Sequence, residues 1–459
     1  MSEIEINPIT RLEGHGNIKI FTEDDGTLKQ AYLQIPELRA FEKFCVGRQA
    51  EYMPQLTSRI CGVCPVPHHL ASIKTLDMAY NAPPTERATA LRRIMHYGYM
   101  IEDHLLHFYY LGGPDLLLGP DTPVGKRNII GIIETYGKEI ASTIMEHRKY
   151  GQEMVRMLGG KAIHPAFGIP GGVSKGLTEE ERDEVRSMAE SCIEFAQTTL
   201  SIFHDKVMGS DFFADALKSS EYELETYNLG TVNKDNQPEY YDGDLRLTDT
   251  TGTQLANFVP FDYLDYIGEA VEEYSYMKFP FYRKLGWKGL VESPENGVYR
   301  VGPLGRYNAS TSYSTPLANE EGKLLEKTLG RPCNMTLAYH WTRLTEVLNV
   351  SEMLRDLADS DILVEGELRN PVGEIQGRGV GSVEAARGTL IHDYVVDDEG
   401  LIKDVNLIVP TTHNAAAISL SIAKAARAEL ASGNTNVDQM NRVEVALRAY
   451  DPCFGCATH

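Results

Sequence analysis

The chain ends Asp451-Pro-Cys453-Phe-Gly-Cys456-Ala-Thr-His459, and near its start it reads Arg59-Ile-Cys61-Gly-Val-Cys64-Pro-Val-Pro-His68. Four of the seven cysteines stand in these two Cys-x-x-Cys pairs. Thiolates two residues apart on a turn converge within reach of one metal, and two such pairs complete a four-sulfur site. If the pairs meet, the fold closes its two ends onto one centre.

The rest of the chain suits that closure. At 459 residues, 42% hydrophobic and 24% charged, it reads as an ordinary globular protein with length for one large domain or a few of ordinary size, and a single large domain over 1–459 is expected. The net charge of −21 is spread without a long acidic run, which argues against nucleic acid and anionic membranes as partners. The N-terminus lacks the basic and apolar regions of a signal peptide. No run approaches the roughly 18 apolar residues of a transmembrane span. Cys45, Cys192 and Cys333 are isolated, so the cysteine set reads as metal binding in a reducing, cytoplasmic compartment rather than as a disulfide framework.

Periodicity predicts a class that is mainly α with small β ribbons near both ends (α+β). Residues 15–35 alternate around Asp25-Gly26, a hairpin signal. Residues 36–47 take a helical period. Pro83-Pro84-Thr85 starts a helix whose stripe of Leu91, Ile94, Met95, Ile101 and Leu105 runs to about Tyr110. Another helix is expected over 126–158. Thr178-Glu-Glu-Glu opens a long one to about Val207 through a capping box. Helical core is thus expected over 84–210 and again over 319–360. Residues 218–315, rich in Tyr, Asp, Gly and Asn, read as a loop-rich insertion with short strands. A second hairpin is expected over 389–410, and helices over 412–431 and 437–449 lead to the final motif.

Four thiolates suit zinc, iron–sulfur or nickel. A structural zinc ion is the bland alternative, yet zinc pairs lie within one small module, and a domain with its own core needs no such staple. Arg59 beside the first pair is either a surface residue or a cation that lowers thiol pKa values. His68, at helical spacing from Cys64, is a satisfied core histidine, a hydrogen-bond donor beside the metal or a ligand to it. Arg11-Leu-Glu13-Gly-His15 and Glu384-Ala-Ala-Arg387-Gly388 can each be a simple turn.

Taken together, Arg-x-Cys-Gly-x-Cys-x-x-x-His and the terminal Asp-Pro-Cys-x-x-Cys-x-x-His resemble the large subunit of nickel–iron hydrogenases. Arg11-Leu-Glu-Gly-His15, His164-Pro through Pro170-Gly-Gly, Glu384-x-x-Arg-Gly and Val409-Pro-Thr-Thr agree, so the resemblance runs from residue 10 to the last. It implies that nickel is held by Cys61, Cys64, Cys453 and Cys456, with Cys64 and Cys456 bridging to an iron that carries carbon monoxide and cyanide. It implies reversible heterolysis of dihydrogen, with Cys453 as first proton acceptor and Glu13 as the relay. Arg387 matches the arginine above the metals, and Asp115 and Asp451 the carboxylates that anchor it. Pro410 and Thr411 match the segment around the cyanides. Glu42, the backbone carbonyl of Leu407 and His459 correspond to a magnesium site, which iron could also fill. His459 also matches the end left by a maturation protease.

The three isolated cysteines cannot bind a cluster, so the resemblance implies that the electron partner is an iron–sulfur small subunit, with Arg59 facing its nearest cluster. Ala386 before the arginine and His413 after the threonines resemble the cytoplasmic branch found in archaea that couples to heterodisulfide reductase, deazaflavin or nicotinamide; of these the resemblance favours the viologen-reducing, heterodisulfide-reductase-linked type active in methanogenesis. Two other readings within the superfamily are a non-catalytic hydrogen sensor and a complex I-like quinone-module subunit. The latter generally lacks the four cysteines that this chain has.

Overall fold

In the computed structural model, which describes residues 2–216 and 219–459, both chain ends enter one apolar core that runs from Ile4 to Ala457. The N-terminal hairpin pairs Asn17–Thr22 with Leu28–Gln34 around Gly26, whose φ of +86° suits the Asp-Gly turn. A third strand, Ser2–Ile6, not expected from the sequence, pairs with Asn17–Thr22 and brings Ile4 and Ile6 beside the buried Ile18 and Ile20. Between residues 36 and 47 only Phe41–Cys45 is helical, because Ala40 takes a left-handed φ of +57° and interrupts the turn before it.

The helical body is built on Glu86–Leu106, Lys138–Gly159, Glu179–Ile202 and Ala338–Ala358. Thr85 Oγ1 caps the first by accepting from Ala88 N at 3.0 Å, and a wide helical turn, His107–Leu111, extends it to the length expected. Thr178 and Glu181 form the anticipated capping box. The expected helix over 126–158 is two, Ile129–Tyr136 and Lys138–Gly159, broken at Gly137 with φ +91°. That over 319–360 is also two, Pro316–Leu329 and Ala338–Ala358, split at Gly330. Ala338–Ala358 is buried on nearly every side, which explains its lack of a polar face.

The middle is more ordered than its composition suggests. Tyr227–Val232, Asp244–Thr248 and Gln254–Phe258 form an antiparallel sheet, with Tyr299–Arg300 added in parallel. Residue 218, where the insertion is expected to start, lies outside the described residues.

The third sheet positions the metal motifs. Gly388–Val396 and Ile402–Ile408 form the expected hairpin, and Arg378–Ala385, not anticipated as a strand, completes the sheet. Ala385 pairs with Gly388, so Ala386 and Arg387 form a two-residue turn that projects Arg387 from the sheet end. The helix Pro65–Ala79 lies directly on the first strand. A Cβ at Gly381 would stand 2.2 Å from the Ala71 carbonyl oxygen, and one at Gly379 2.0 Å from that of Thr75. Only glycine permits this approach, and it sets the height of Cys64, the residue that precedes the helix, against Arg387.

Candidate metal centre

Cys64 occupies the N-cap position of Pro65–Ala79, with proline supplying the first helical residue. The turn before it folds back so that Val63 N and Cys64 N donate to Cys61 Sγ at 3.2 and 3.3 Å. Cys453 and Cys456 sit on the last short helical turn, Phe454–Ala457. The pairs meet sulfur to sulfur, Cys61 to Cys453 at 3.5 Å and Cys64 to Cys456 at 3.2 Å, and all four Sγ lie within 4.8 Å of one another. A disulfide needs about 2.05 Å. Sulfurs that share one ion at about 2.3 Å stand roughly 3.2–3.8 Å apart, so this is a donor set for metal.

All four cysteines are buried. Contact with the other sulfurs, Cys453 first, holds Cys61 well below the ordinary thiol range. Burial pushes Cys453 and Cys456 well above it. Four negative sulfurs this close repel, so full ionisation requires a cation among them. Beside them lies a small void walled by Pro67, Ala385, Leu390, Pro410 and Arg387. Its lining suits small apolar-tolerant ligands and leaves no room for a further side chain. The donor chemistry fits a thiolate-bound metal, and the void leaves a small space beside it.

The N-terminal segment reaches the same place. Glu13 pairs with Cys453 as an isolated parallel bridge, and Phe454 N donates to the Glu13 carbonyl at 2.9 Å. Glu13 Oε2 accepts from Gly455 N at 2.9 Å and from Cys453 Sγ at 3.0 Å. Gly14, at φ +85°, has no space for a Cβ, which would stand 2.7 Å from Gly455 N. Thr411 Oγ1 accepts from Cys453 N at 2.9 Å, and Pro410 begins the short turn that carries it.

Arg387 is 3% exposed and is held by two carboxylates. Its Nη1 and Nη2 donate to Asp103 at 2.7 and 3.3 Å, and Nη2 also donates to Asp451 at 3.1 Å. Despite burial, which opposes the charge, these carboxylates keep the guanidinium firmly protonated. The second anchor is therefore Asp103 and not Asp115. Asp115 lies one helical turn beyond the wide turn His107–Leu111, and its carboxylate is taken by Arg11, Arg127 and Arg448. Sequence reasoning missed Asp103, because an acidic residue inside an amphipathic helix normally reads as part of the solvated face.

His68 Nε2 lies 3.7 Å from Cys456 Sγ. Its Nδ1 is 3.1 Å from His392 Nε2, and His392 Nδ1 is 2.6 Å from the Tyr394 hydroxyl. Burial pushes His68 down to about 3, so the ring is neutral. His392 and Tyr394 carried no motif. Arg59, two residues before Cys61, is exposed at the surface. The isolated Cys45, Cys192 and Cys333 are buried thiols that burial raises to about 11, 12 and 11.

At the C-terminus, Glu42 Oε1 accepts from Leu407 N at 2.9 Å and lies 3.5 Å from His459 Nε2 and 3.4 Å from Lys278 Nζ. The Leu407 N–H bond ties its strand to Glu42, which places the Leu407 backbone beside the carboxylate. His459 Nδ1 donates to the Cys456 carbonyl at 2.7 Å, which turns its Nε2 toward the Glu42 carboxylate. A carboxylate and an imidazole so placed are donors that suit a shared cation, and Lys278 is a charged neighbour that the sequence did not flag.

Comparison with known proteins agrees with this geometry. A family profile described as nickel-dependent hydrogenase matches residues 39–117 and 220–459, and one described as HoxL-like matches 3–38. The chain is 40% identical over its whole length to an F420-non-reducing hydrogenase iron-sulfur subunit of Archaeoglobus profundus, covering 95% of that protein. It is 42% identical to a vhu subunit of the F420-non-reducing hydrogenase of Methanococcus voltae, over 93% of this chain and 98% of the relative. The structure superposes on an NAD+-reducing NiFe hydrogenase in its H2-reduced state with a TM-score of 0.91 and 36% identity, each chain fully covered. A Ni-Fe-Se hydrogenase from D. vulgaris Hildenborough shares the fold at TM-score 0.76 and 21% identity, again over the full length of both chains. Among the described residues no helix is long and apolar enough to cross a membrane. With two Cys-x-x-Cys pairs closed into one buried sulfur cluster on this fold, the chain belongs to the nickel-dependent hydrogenases, as a catalytic large subunit that cleaves dihydrogen.

Proposed function

We propose that Cys61, Cys64, Cys453 and Cys456 would hold nickel, that Cys64 and Cys456 would also serve as ligands to an iron carrying carbon monoxide and cyanide, and that the adjoining void would accommodate that group. When bound, such a centre supplies the redox chemistry that splits dihydrogen heterolytically, and two electrons and two protons leave per turnover. The observation that carries the protein's part is the aim of Cys453 Sγ at Glu13 Oε2, 3.0 Å away. A proton on that sulfur passes to the carboxylate within hydrogen-bond reach. Glu13 is half-buried, so it can release the proton outward.

Arg387 orients and polarises what enters the void. Among the described residues its Nε–H has no acceptor, and its side chain walls the cavity, so it can donate to a cyanide nitrogen or another polar group there. Asp103 and Asp451 fix it as positioning residues. Thr411 and Pro410 hold the Cys453 turn and close the void. His68 donates to Cys456 when its Nε2 carries the proton. Glu42, His459 and the Leu407 strand would hold a magnesium ion, which bonds oxygen and imidazole.

Electrons pass to an iron–sulfur small subunit, since Cys45, Cys192 and Cys333 are separate buried thiols; Arg59 is available at the surface to face it. The F420-non-reducing relatives favour a partner other than deazaflavin, and heterodisulfide reductase is the acceptor we assign. By the same likeness we place the assembly in the cytoplasm, with a maturation protease as a further partner.

The test is an infrared spectrum of the anaerobically purified complex. Metal-bound carbon monoxide and cyanide bands that shift under dihydrogen are expected. A blank spectrum with zinc in place of nickel overturns the assignment.

A further inference from the structure

Asp115, displaced from the role expected of it, is 1% exposed and joins three guanidiniums from three segments. Its Oδ1 accepts from Arg11 Nη2 and, at 3.1 Å, from Arg127 Nη1. Its Oδ2 accepts from Arg448 Nη1 at 3.1 Å. Arg11 stands two residues before Glu13, and Arg448 five before Cys453. The two motifs are also tied directly. Arg448 donates from Nε to the Thr10 carbonyl at 2.9 Å and from Nη2 to Thr10 Oγ1 at 3.2 Å. Arg11 Nη1 donates to the Leu111 carbonyl at 2.6 Å, next to the helix that bears Asp115.

Charge balance does not explain this cluster. One carboxylate faces three cations, and Glu444, 2.8 Å from Arg448 Nη2, adds only one more negative charge. Arg11 also keeps a left-handed φ of +58°, which a non-glycine residue holds only where its surroundings over-determine it. A buried ionic cluster is weak evidence for stability, and fixing register is the best-attested use of one.

We propose that Asp115, with Arg11 and Arg448, is a positioning device that sets the register of the Glu13 loop against the Cys453 turn. Backbone bonds from Phe454 N and Gly455 N fix the near end of the Glu13 loop. The Asp115 clamp holds Arg11, two residues before, and these two fixings, one at Glu13 itself and one just upstream, define its orientation. Proton transfer depends steeply on placement, and a shift of about 1 Å costs on the order of 10²-fold. The inference rests on the reading of Glu13 as proton acceptor.

The test compares R11Q, R11K, D115N and E13Q in the purified complex with its partner subunits. It reads exchange between D2 and solvent protons, nickel and iron content, and the infrared bands. R11Q should slow exchange about 10- to 100-fold with metals and bands unchanged, and R11K should recover part of the loss. If D115N does not assemble, R11Q decides alone, since Asp115 keeps two arginines there. Slow exchange in E13Q with parental exchange in R11Q refutes the positioning role and leaves Glu13 in place. Parental exchange in E13Q removes the Glu13 reading, and this inference with it. Loss of metal in R11Q makes the clamp a folding element and also refutes the proposal.

Discussion

Replacing Asp103 by asparagine isolates the anchoring of Arg387 without changing its shape. Asp103 is fully buried and accepts from Arg387 Nη1 at 2.7 Å, Arg387 Nη2 at 3.3 Å and the Tyr99 hydroxyl at 3.0 Å. Asparagine offers one oxygen in this position. If that oxygen keeps Nη1 and Tyr99, its NH2 faces Nη2, donor against donor. The lost charge-assisted bond is worth about 1.5–3 kcal/mol. Asp451 still accepts from Nη2 at 3.1 Å, so the guanidinium keeps one of two anchors. Removing a fixed donor at a reacting centre costs about 2.7–4 kcal/mol. Half of that, roughly 1.4–2 kcal/mol, lowers kcat about 10- to 30-fold. We predict this loss in dihydrogen-dependent viologen reduction at saturating gas, with nickel content unchanged and R387K as the larger reference effect. A parental rate in D103N, with nickel in place, refutes the argument that Asp103 holds Arg387 for turnover.

Glu13→Gln should keep both metals and slow exchange of deuterium with solvent by orders of magnitude, because the relay loses its ionisable group; an unchanged rate removes Glu13 from the path. Cys64→Ser or Cys456→Ser should prevent assembly of a full nickel and iron complement, and metal analysis showing both at parental levels contradicts the bridging assignment. Gly381→Ala places a methyl 2.2 Å from the Ala71 carbonyl and should destabilise the chain by about 1–3 kcal/mol or more, read as a lower denaturation midpoint. Glu346 is fully buried; burial alone would raise its carboxyl, but Arg306 at 2.6 Å holds it below the ordinary 4.5. Its ionised form is favoured by folding, so that stabilisation is present above pH 4.5 and is lost as pH falls below it. E346Q should therefore lower stability at neutral pH by about 3–5 kcal/mol and flatten the acid limb of the unfolding profile, and a parental acid limb counts against the pair.

Much of the metal centre was legible because its chemistry is local. Cys61 and Cys64, like Cys453 and Cys456, are separated by a single turn, and a turn brings thiolates together wherever it sits in a fold. The capping box at Thr178, the Asp25-Gly26 turn and the stripe of Leu91 to Leu105 are likewise set by neighbours a few residues apart. Where expectations failed, the interruption was backbone geometry with a weak sequence signal, as at Gly137 and Ala40, or pairing with a neighbouring strand. Ser2–Ile6 and Arg378–Ala385 become strands because Asn17–Thr22 and Gly388–Val396 offer them an edge.

The sequence by itself determined that four sulfurs were available in two pairs, that the body was helical and that Glu13, Arg387 and the terminal motif belonged to one family pattern. Which carboxylate meets which guanidinium was decided only in three dimensions. Asp103 and Asp115 lie on consecutive helical segments and are equally acidic, yet one faces Arg387 and the other three arginines from elsewhere. Charge type has no address in sequence, because an ion pair depends on a separation of a few ångströms. That separation is fixed here by helix rotation, by the wide turn at His107–Leu111 and by the glycine contact of the Pro65–Ala79 helix with its strand.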